Sequence, residues 1–145
     1  MSAHATVGGV MVTIQSQRLY LTDDDGLGAN NPKASFVLPN KTVFLSSSQQ
    51  STYVNSSRYC VGDEVVGQVY LYAYWVDATH VRTYTKVYLT EGTSCSTTDL
   101  DGTSARESTY TVPAEVDQLS LTAKNVAEGG SDKAQLFYSI VTTTV

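Results

Sequence analysis

Charge is scarce in this sequence. Asp, Glu, Lys and Arg make up 16% of its 145 residues, against about 25% in an ordinary globular chain. No run of Lys or Arg occurs, and the formal net charge is -5. Binding a phosphate backbone needs a basic stripe, so nucleic acid is not expected as a partner. No apolar stretch approaches the roughly 20 residues that a membrane-spanning helix needs. Residues 1–9 hold neither the basic nor the apolar segment that opens a signal peptide, so no leader is expected there.

Catalytic chemistry is equally thin. Histidine occurs only as His4 and His80. There is no HExxH pattern, no GxSxG elbow and no phosphate-cradling glycine loop. Asp77 stands close before His80 in a turn, which suits a local hydrogen bond better than a triad whose members converge from separate elements. No pair of carboxylates stands out as an acid–base couple. A protein that is not an enzyme is therefore expected.

Cysteine occurs twice, as Cys60 and Cys95. A disulfide between them would close a loop worth roughly 3–4 kcal/mol on the chain-entropy model. Two separately buried thiols are the alternative. Zinc is not expected, because no CxxC pair or clustered histidine accompanies them.

What the chain does have is hydroxyl and amide polarity, ten tyrosines among it, and a period of two. From 69 the odd positions read Val69, Leu71, Ala73, Trp75, while the even positions read Gln68, Tyr70, Tyr72, Tyr74. After a turn at 77–80, Val81, Thr83, Thr85, Val87 and Leu89 alternate with Arg82, Tyr84, Lys86 and Tyr88. Such alternation marks a strand with one face in a core. A three-residue loop, Ala78-Thr79-His80, is expected, because it pairs Trp75 with Thr83 and Tyr74 with Tyr84 and so separates apolar from phenolic side chains. A slip by one residue would turn the apolar set outward.

Other segments read the same way. Residues 7–22 form one strand with a break at 15–18, or two short strands. Residues 34–38 and 41–45 are short strands around Pro39-Asn40. Residues 46–57 are expected as an exposed loop with one short strand near Tyr53, and 92–105 as a second long loop. Pro113 ends a strand at 107–112, and 113–118 is the one helical candidate. Residues 119–126 and 134–145 form a closing hairpin. With no internal repeat and no boundary, the expectation is one all-β domain over 1–145: an antiparallel β-sandwich of two packed sheets, jelly-roll or Ig-like.

Two features suggest function. The first is the ladder of Tyr70, Tyr72, Tyr74, Tyr84 and Tyr88 with Arg82 and Lys86 among the rings. Tyrosine offers a flat area with little rotamer entropy and a hydroxyl, suited to a protein subunit or to stacked sugar rings. The alternative is a ladder covered by the rest of the fold. The second is acidic: Asp63, Glu64, Asp99 and Asp101 fall at one end of the sheet and could hold calcium, which takes several carboxylate oxygens. Neither Asp-Gly loop completes an EF-hand, and Asp-Gly pairs are ordinary turn formers.

No cofactor is expected apart from that calcium. The expected function is a structural or interaction subunit, or a decoration module, of a surface or particle assembly, with protein subunits as partners in a homo-oligomer or larger assembly. Residues 136–141, an apolar strand near the C-terminus, could pair with a neighbouring chain. The alternative is a lectin-like module for carbohydrate, with calcium as an option. An extracellular surface or particle is the expected location.

Overall fold

The computed structural model describes residues 8–23, 32–62, 64–125 and 132–145. These residues form strands β1 (Val10–Thr22), β2 (Lys33–Val37), β3 (Lys41–Leu45), β4 (Ser51–Val61), β5 (Val65–Asp77), β6 (His80–Glu91), β7 (Leu100–Thr111), β8 (Ala114–Lys124) and β9 (Lys133–Thr144). Two antiparallel sheets pack face to face, as the alternating pattern requires. The first runs β2-β1-β9-β8, with β3 also paired to β1; the second runs β4-β5-β6-β7. Among the described residues no helix is long and apolar enough to cross a membrane.

The connectivity is simpler than the Greek-key crossings of jelly-roll and Ig sandwiches. β4 to β7 form a meander. β2 and β3 pair with opposite halves of β1 and together act as one interrupted edge strand. The chain crosses between sheets after β3 and again after β7, and β9 returns to lie between β1 and β8. At the ends away from this second crossing, β7 and β8 approach closely. A side chain on Gly102 of β7 would meet the Lys124 carbonyl oxygen at 2.2 Å, so only glycine fits there.

The core lies between the sheets. Val12, Ile14, Leu19 and Leu21 of β1, with Leu136 and Ile140 of the adjacent β9, face Val69, Leu71 and Ala73 of β5 and Val81, Val87 and Leu89 of β6 in one buried cluster. Tyr138 joins it with its hydroxyl buried; desolvation pushes that hydroxyl's pKa up, and the nearby Thr85 hydroxyl offsets part of the rise.

The first sheet is kinked at one level. β1 changes register between Gln15 and Arg18, and Ser16 takes a φ of 55°. Gln17 turns inward and its amide donates to the Pro39 carbonyl at 3.0 Å. Opposite this bulge the edge strand is interrupted between β2 and β3. β8 shifts register between Val116 and Leu119, with Gln118 at a φ of 59°. The expected break in residues 7–22 is thus a bulge inside one strand.

Four expectations need correction. β4 is an eleven-residue strand rather than a loop with a short strand. Its three serines blur the period, and a bulge between Tyr53 and Asn55 breaks it. β7 begins at Leu100, so the second long loop spans only 92–99. The helical candidate 113–118 opens strand β8; a proline at the first helical position suits a strand start equally well.

The fourth correction concerns the central hairpin. Its turn is the two-residue Ala78-Thr79, with Asp77 opposite His80, and a bulge at Val76 then places Trp75 opposite Val81. The pairs are Tyr74–Arg82, Tyr72–Tyr84, Tyr70–Lys86 and Gln68–Tyr88. Faces separate as expected, but each partner lies two residues from its expected place. One extra residue restores the parity that a two-residue turn alone would have broken.

Candidate functional site

The outward residues of the second sheet form ordered rows. Reading from β4 to β7, Ser51, Tyr74, Arg82 and Thr109 make one row, and Tyr53, Tyr72, Tyr84 and Glu107 the next. Ser56, Tyr70, Lys86 and Ala105 follow, then Arg58, Gln68, Tyr88 and Thr103. Register in β5 and β6 is unbroken from Gln68 to Trp75, so the rows stay straight. Every residue of the expected tyrosine face lies here, outside the sandwich. Tyr74 and Tyr53 are exposed, and Tyr70, Tyr72, Tyr84, Lys86 and Tyr88 are half-buried among one another.

The rings hold each other in place. Tyr53 and Tyr72 lie 4.0 Å apart between centroids, Tyr70 and Tyr88 meet edge to face at 5.4 Å, and Tyr72 lies 6.3 Å from Tyr74. The Tyr72 hydroxyl donates to the Tyr53 hydroxyl. That hydrogen bond, with desolvation and the neighbouring phenols, pushes the Tyr72 pKa up to about 12. Contacts of this type add roughly 0.5–1.5 kcal/mol each beyond buried area.

One end of this face is walled. Residues 92–99 fold back over the sheet, and Val66 and Thr90 of the next row are buried there. The loop is fixed covalently by a Cys60–Cys95 disulfide with Cα atoms 5.8 Å apart. Arg58 adds a second tie. Its Nη2 donates to the Cys95 carbonyl at 2.7 Å and the Thr97 carbonyl at 2.9 Å. Inside the loop, the Thr97 hydroxyl donates to the Glu91 carbonyl at 3.1 Å.

Wall and floor together enclose an open groove of about 550 Å³, lined by Arg58, Gln68, Tyr70, Tyr72, Tyr84, Lys86, Tyr88, Thr90, Thr98 and Leu100. Tyr74 and Arg82 lie beyond it with Tyr84 and Glu107, in a dip of about 150 Å³. Arg82 is matched there by Glu107, with Nε 3.5 Å from the carboxylate. Lys86 holds its Nζ 4.7 Å from the Tyr88 centroid. Its interaction with the Tyr88 hydroxyl raises its pKa against the opposing effect of desolvation, which keeps it an ammonium.

Arg58, Thr98, Tyr53 and Leu100 escape the sequence reading of the site, while Gln68 is read on the tyrosine side without being assigned to it. The first and third sit on the strand whose period is hidden. Thr98 reaches the groove because the disulfide returns its loop to the sheet, and Leu100 because it opens β7 beside Thr90. Alternation of Ser56, Arg58 and Cys60 is the one signal that points to them.

The acidic residues gather elsewhere. Asp63 lies outside the described residues. Glu64 sits in the turn before β5, where its carbonyl accepts the Gly92 amide at 3.1 Å. Burial, then Asp99, raises the Asp101 pKa, and Asp132 adds to the rise. Among the described residues no group of three or more acidic, histidine or cysteine side chains is arranged to hold a metal. His80 makes the expected turn contact, its Nδ1 2.8 Å from Asp77 Oδ1. His4 lies outside the described residues. The apolar strand near the C-terminus belongs to β9, paired on both sides within its own sheet. It is not a free strand for a neighbouring chain.

Comparison with protein-family models, curated proteins and solved structures finds no match for this chain.

Proposed function

We propose that this protein is a non-enzymatic recognition module of a surface or particle assembly, and that it holds carbohydrate in the tyrosine groove. One observation carries the reading: the aromatic side chains converge on a groove of about 550 Å³, within the roughly 300–1,000 Å³ usual for a ligand pocket. The floor is a sheet face whose backbone groups are already consumed by the β-ladder. A bound peptide would find no backbone partners there, because strand addition needs a sheet edge. A sugar ring brings its own hydroxyls to Gln68, Thr98 and the phenols, and lays its C–H face on the rings. The groove lining contains no carboxylate, so calcium has no part in this reading.

A glycan array probed with the Tyr72→Ser/Tyr84→Ser double variant tests it. Wild type binds a defined set of glycans, with or without chelator, and the variant loses at least about tenfold in affinity. Retained affinity overturns the reading. The matching Tyr20→Ser/Phe137→Ser variant, on the opposite outer face, binds as wild type.

A second reading, contact with another subunit, is favoured by the outer face of the first sheet. Met11 is 38% exposed, Tyr20 41%, Phe44 45% and Phe137 37%. Exposed aromatic and Met side chains are enriched in subunit interfaces. Light scattering at micromolar concentration decides: a mass above one chain that falls when Phe44 and Phe137 become Ser supports a homo-oligomer, and a strict monomer removes it.

A further inference from the structure

The groove is cationic on an acidic protein. The chain carries a net charge of -5, yet the groove lining holds two cations, Arg58 and Lys86, and no Asp or Glu. Among the described residues, the ion pair on this face joins Arg82, one row beyond the groove, to Glu107, which ends the Tyr72–Tyr84 row on β7 outside the groove lining. Arg58 spends one nitrogen on the carbonyls of the 92–99 loop, which hold the guanidinium in place without neutralising it. Lys86 has Ala105 on one side and Tyr70 on the other in its row, so no carboxylate is opposite it in the ladder.

We propose that the ligand of the groove is an acidic oligosaccharide, a short chain of sugar rings bearing carboxylate or sulfate groups. This rests on the groove being a carbohydrate site. Three features of the ligand follow from three features of the site. The tyrosines accept the apolar faces of the rings. Gln68 and Thr98 serve ring hydroxyls. Lys86 and Arg58 stand on different strands, separated by the β5 row of Gln68 and Tyr70, so they meet anionic groups on separate parts of the ligand rather than one bidentate acid. An ammonium or guanidinium facing an anion in a half-buried aromatic setting makes a charge-assisted hydrogen bond, roughly twice as strong as a neutral one. The surrounding net negative charge lowers the affinity for anions elsewhere on the surface, so the groove discriminates by contrast. An acidic peptide shares the charge but lacks a match for the consumed backbone of the floor.

Calorimetric titration of the oxidised full chain tests the proposal with four probes: tetragalacturonic acid, its full methyl ester, a heparin-derived tetrasaccharide and a glutamate-rich peptide. The expected result is binding of at least one acidic tetrasaccharide, with the methyl ester about tenfold or more weaker than its acid when the carboxylate form binds. Affinity for the acidic probe falls as salt rises. Lys86→Gln removes most of the preference for acid, and Lys41→Gln, an exposed lysine of β3, leaves it intact. Which acidic sugar binds identifies carboxylate or sulfate as the anion. Equal binding of acid and ester, or a preference unmoved by Lys86→Gln, overturns the acidic ligand and leaves the carbohydrate groove standing. Binding of the peptide alone overturns both the sugar and the reading it rests on. Absence of binding by all four overturns the acidic ligand, and the glycan array then decides the groove separately.

Discussion

The two outer faces of the sandwich are built from the same kind of alternating strand, yet only one becomes a continuous surface. On the second sheet, unbroken register along β5 and β6 lines up Tyr74, Tyr72 and Tyr70 with Arg82, Tyr84 and Lys86. On the first, the bulge at Ser16 and Gln17 divides the outward side chains. Met11 lies beside Phe44 on one side of the kink. Tyr20 meets Phe137 edge to face at 5.6 Å on the other. A bulge turns one strand by a residue and bends the sheet, so aromatic side chains on either side of it cannot share a plane. The second sheet places its irregularities at the hairpin tip (Val76), in the edge strand β4 between Tyr53 and Asn55, and at the far end of β6 by Thr90, so the rows across β5 and β6 are not divided. The second face also has a wall, and among the described residues the first has no disulfide to build one.

The largest way to break this contrast is to remove the wall. Cys60→Ser/Cys95→Ser is expected to lower stability by roughly 3–4 kcal/mol, read by urea denaturation against the oxidised protein. It should also release residues 92–99 to fast hydrogen exchange and weaken ligand binding in the groove, while exchange across β1, β9 and β8 stays protected. Equal loss of protection on both sheets would show that the disulfide serves the whole fold and not this face.

A smaller effect sharpens the role of the bulge. Deleting Val76 leaves the Ala78-Thr79 turn and every pair from Trp75–Val81 onward, so the rows survive. Stability is expected to change by no more than about 1–2 kcal/mol, with the cross-strand backbone NMR contacts between Tyr72 and Tyr84 retained. Loss of those contacts would mean that the bulge, rather than the turn, anchors the register.

The smallest effect lies at the tip of the same hairpin. Contact with His80, then the Thr79 amide, holds the Asp77 carboxyl below the usual carboxylate range. A depressed acid stabilises the fold above its unfolded pKa of about 3.9, and that contribution is lost as pH falls through the lower, folded value. Asp77→Asn should therefore flatten the acid side of the Tm–pH curve slightly and leave the curve above pH 5 nearly parallel to wild type. Identical acid limbs would remove Asp77 from the account. This group is fully exposed, so the effect is limited by solvent screening.

How much was legible in the sequence differs strand by strand. β5 and β6 were readable because their inward residues are aliphatic or threonine and their outward ones phenolic or cationic, a contrast that a period of two exposes. β4 was not. Serines at 51, 56 and 57 dilute its apolar and aromatic residues, and its bulge shifts the phase within an eleven-residue strand. β7 is similar, with Thr103, Ala105, Glu107 and Thr109 outward and no aliphatic run inward. Its first turn of chain was hidden by the Asp99-Leu100-Asp101-Gly102 turn chemistry. The site was half legible for the same reason: its floor comes from the readable pair, its walls from the unreadable flanks. Asp77 and His80 were legible because their contact is local.

Alternation alone settled that this chain makes two-faced strands and which residues of the central hairpin share a side, because parity along a strand is a property of covalent geometry. It also settled where the chain turns, through Pro39, Asp77 and Pro113. Only the tertiary structure decided that the phenolic side stays outside, that Cys60 and Cys95 meet, and that two cations stand together in a groove free of carboxylates. Those outcomes depend on which strands become neighbours. Neighbours here lie tens of residues apart, and burial of the whole apolar set, rather than any local preference, selects among the arrangements.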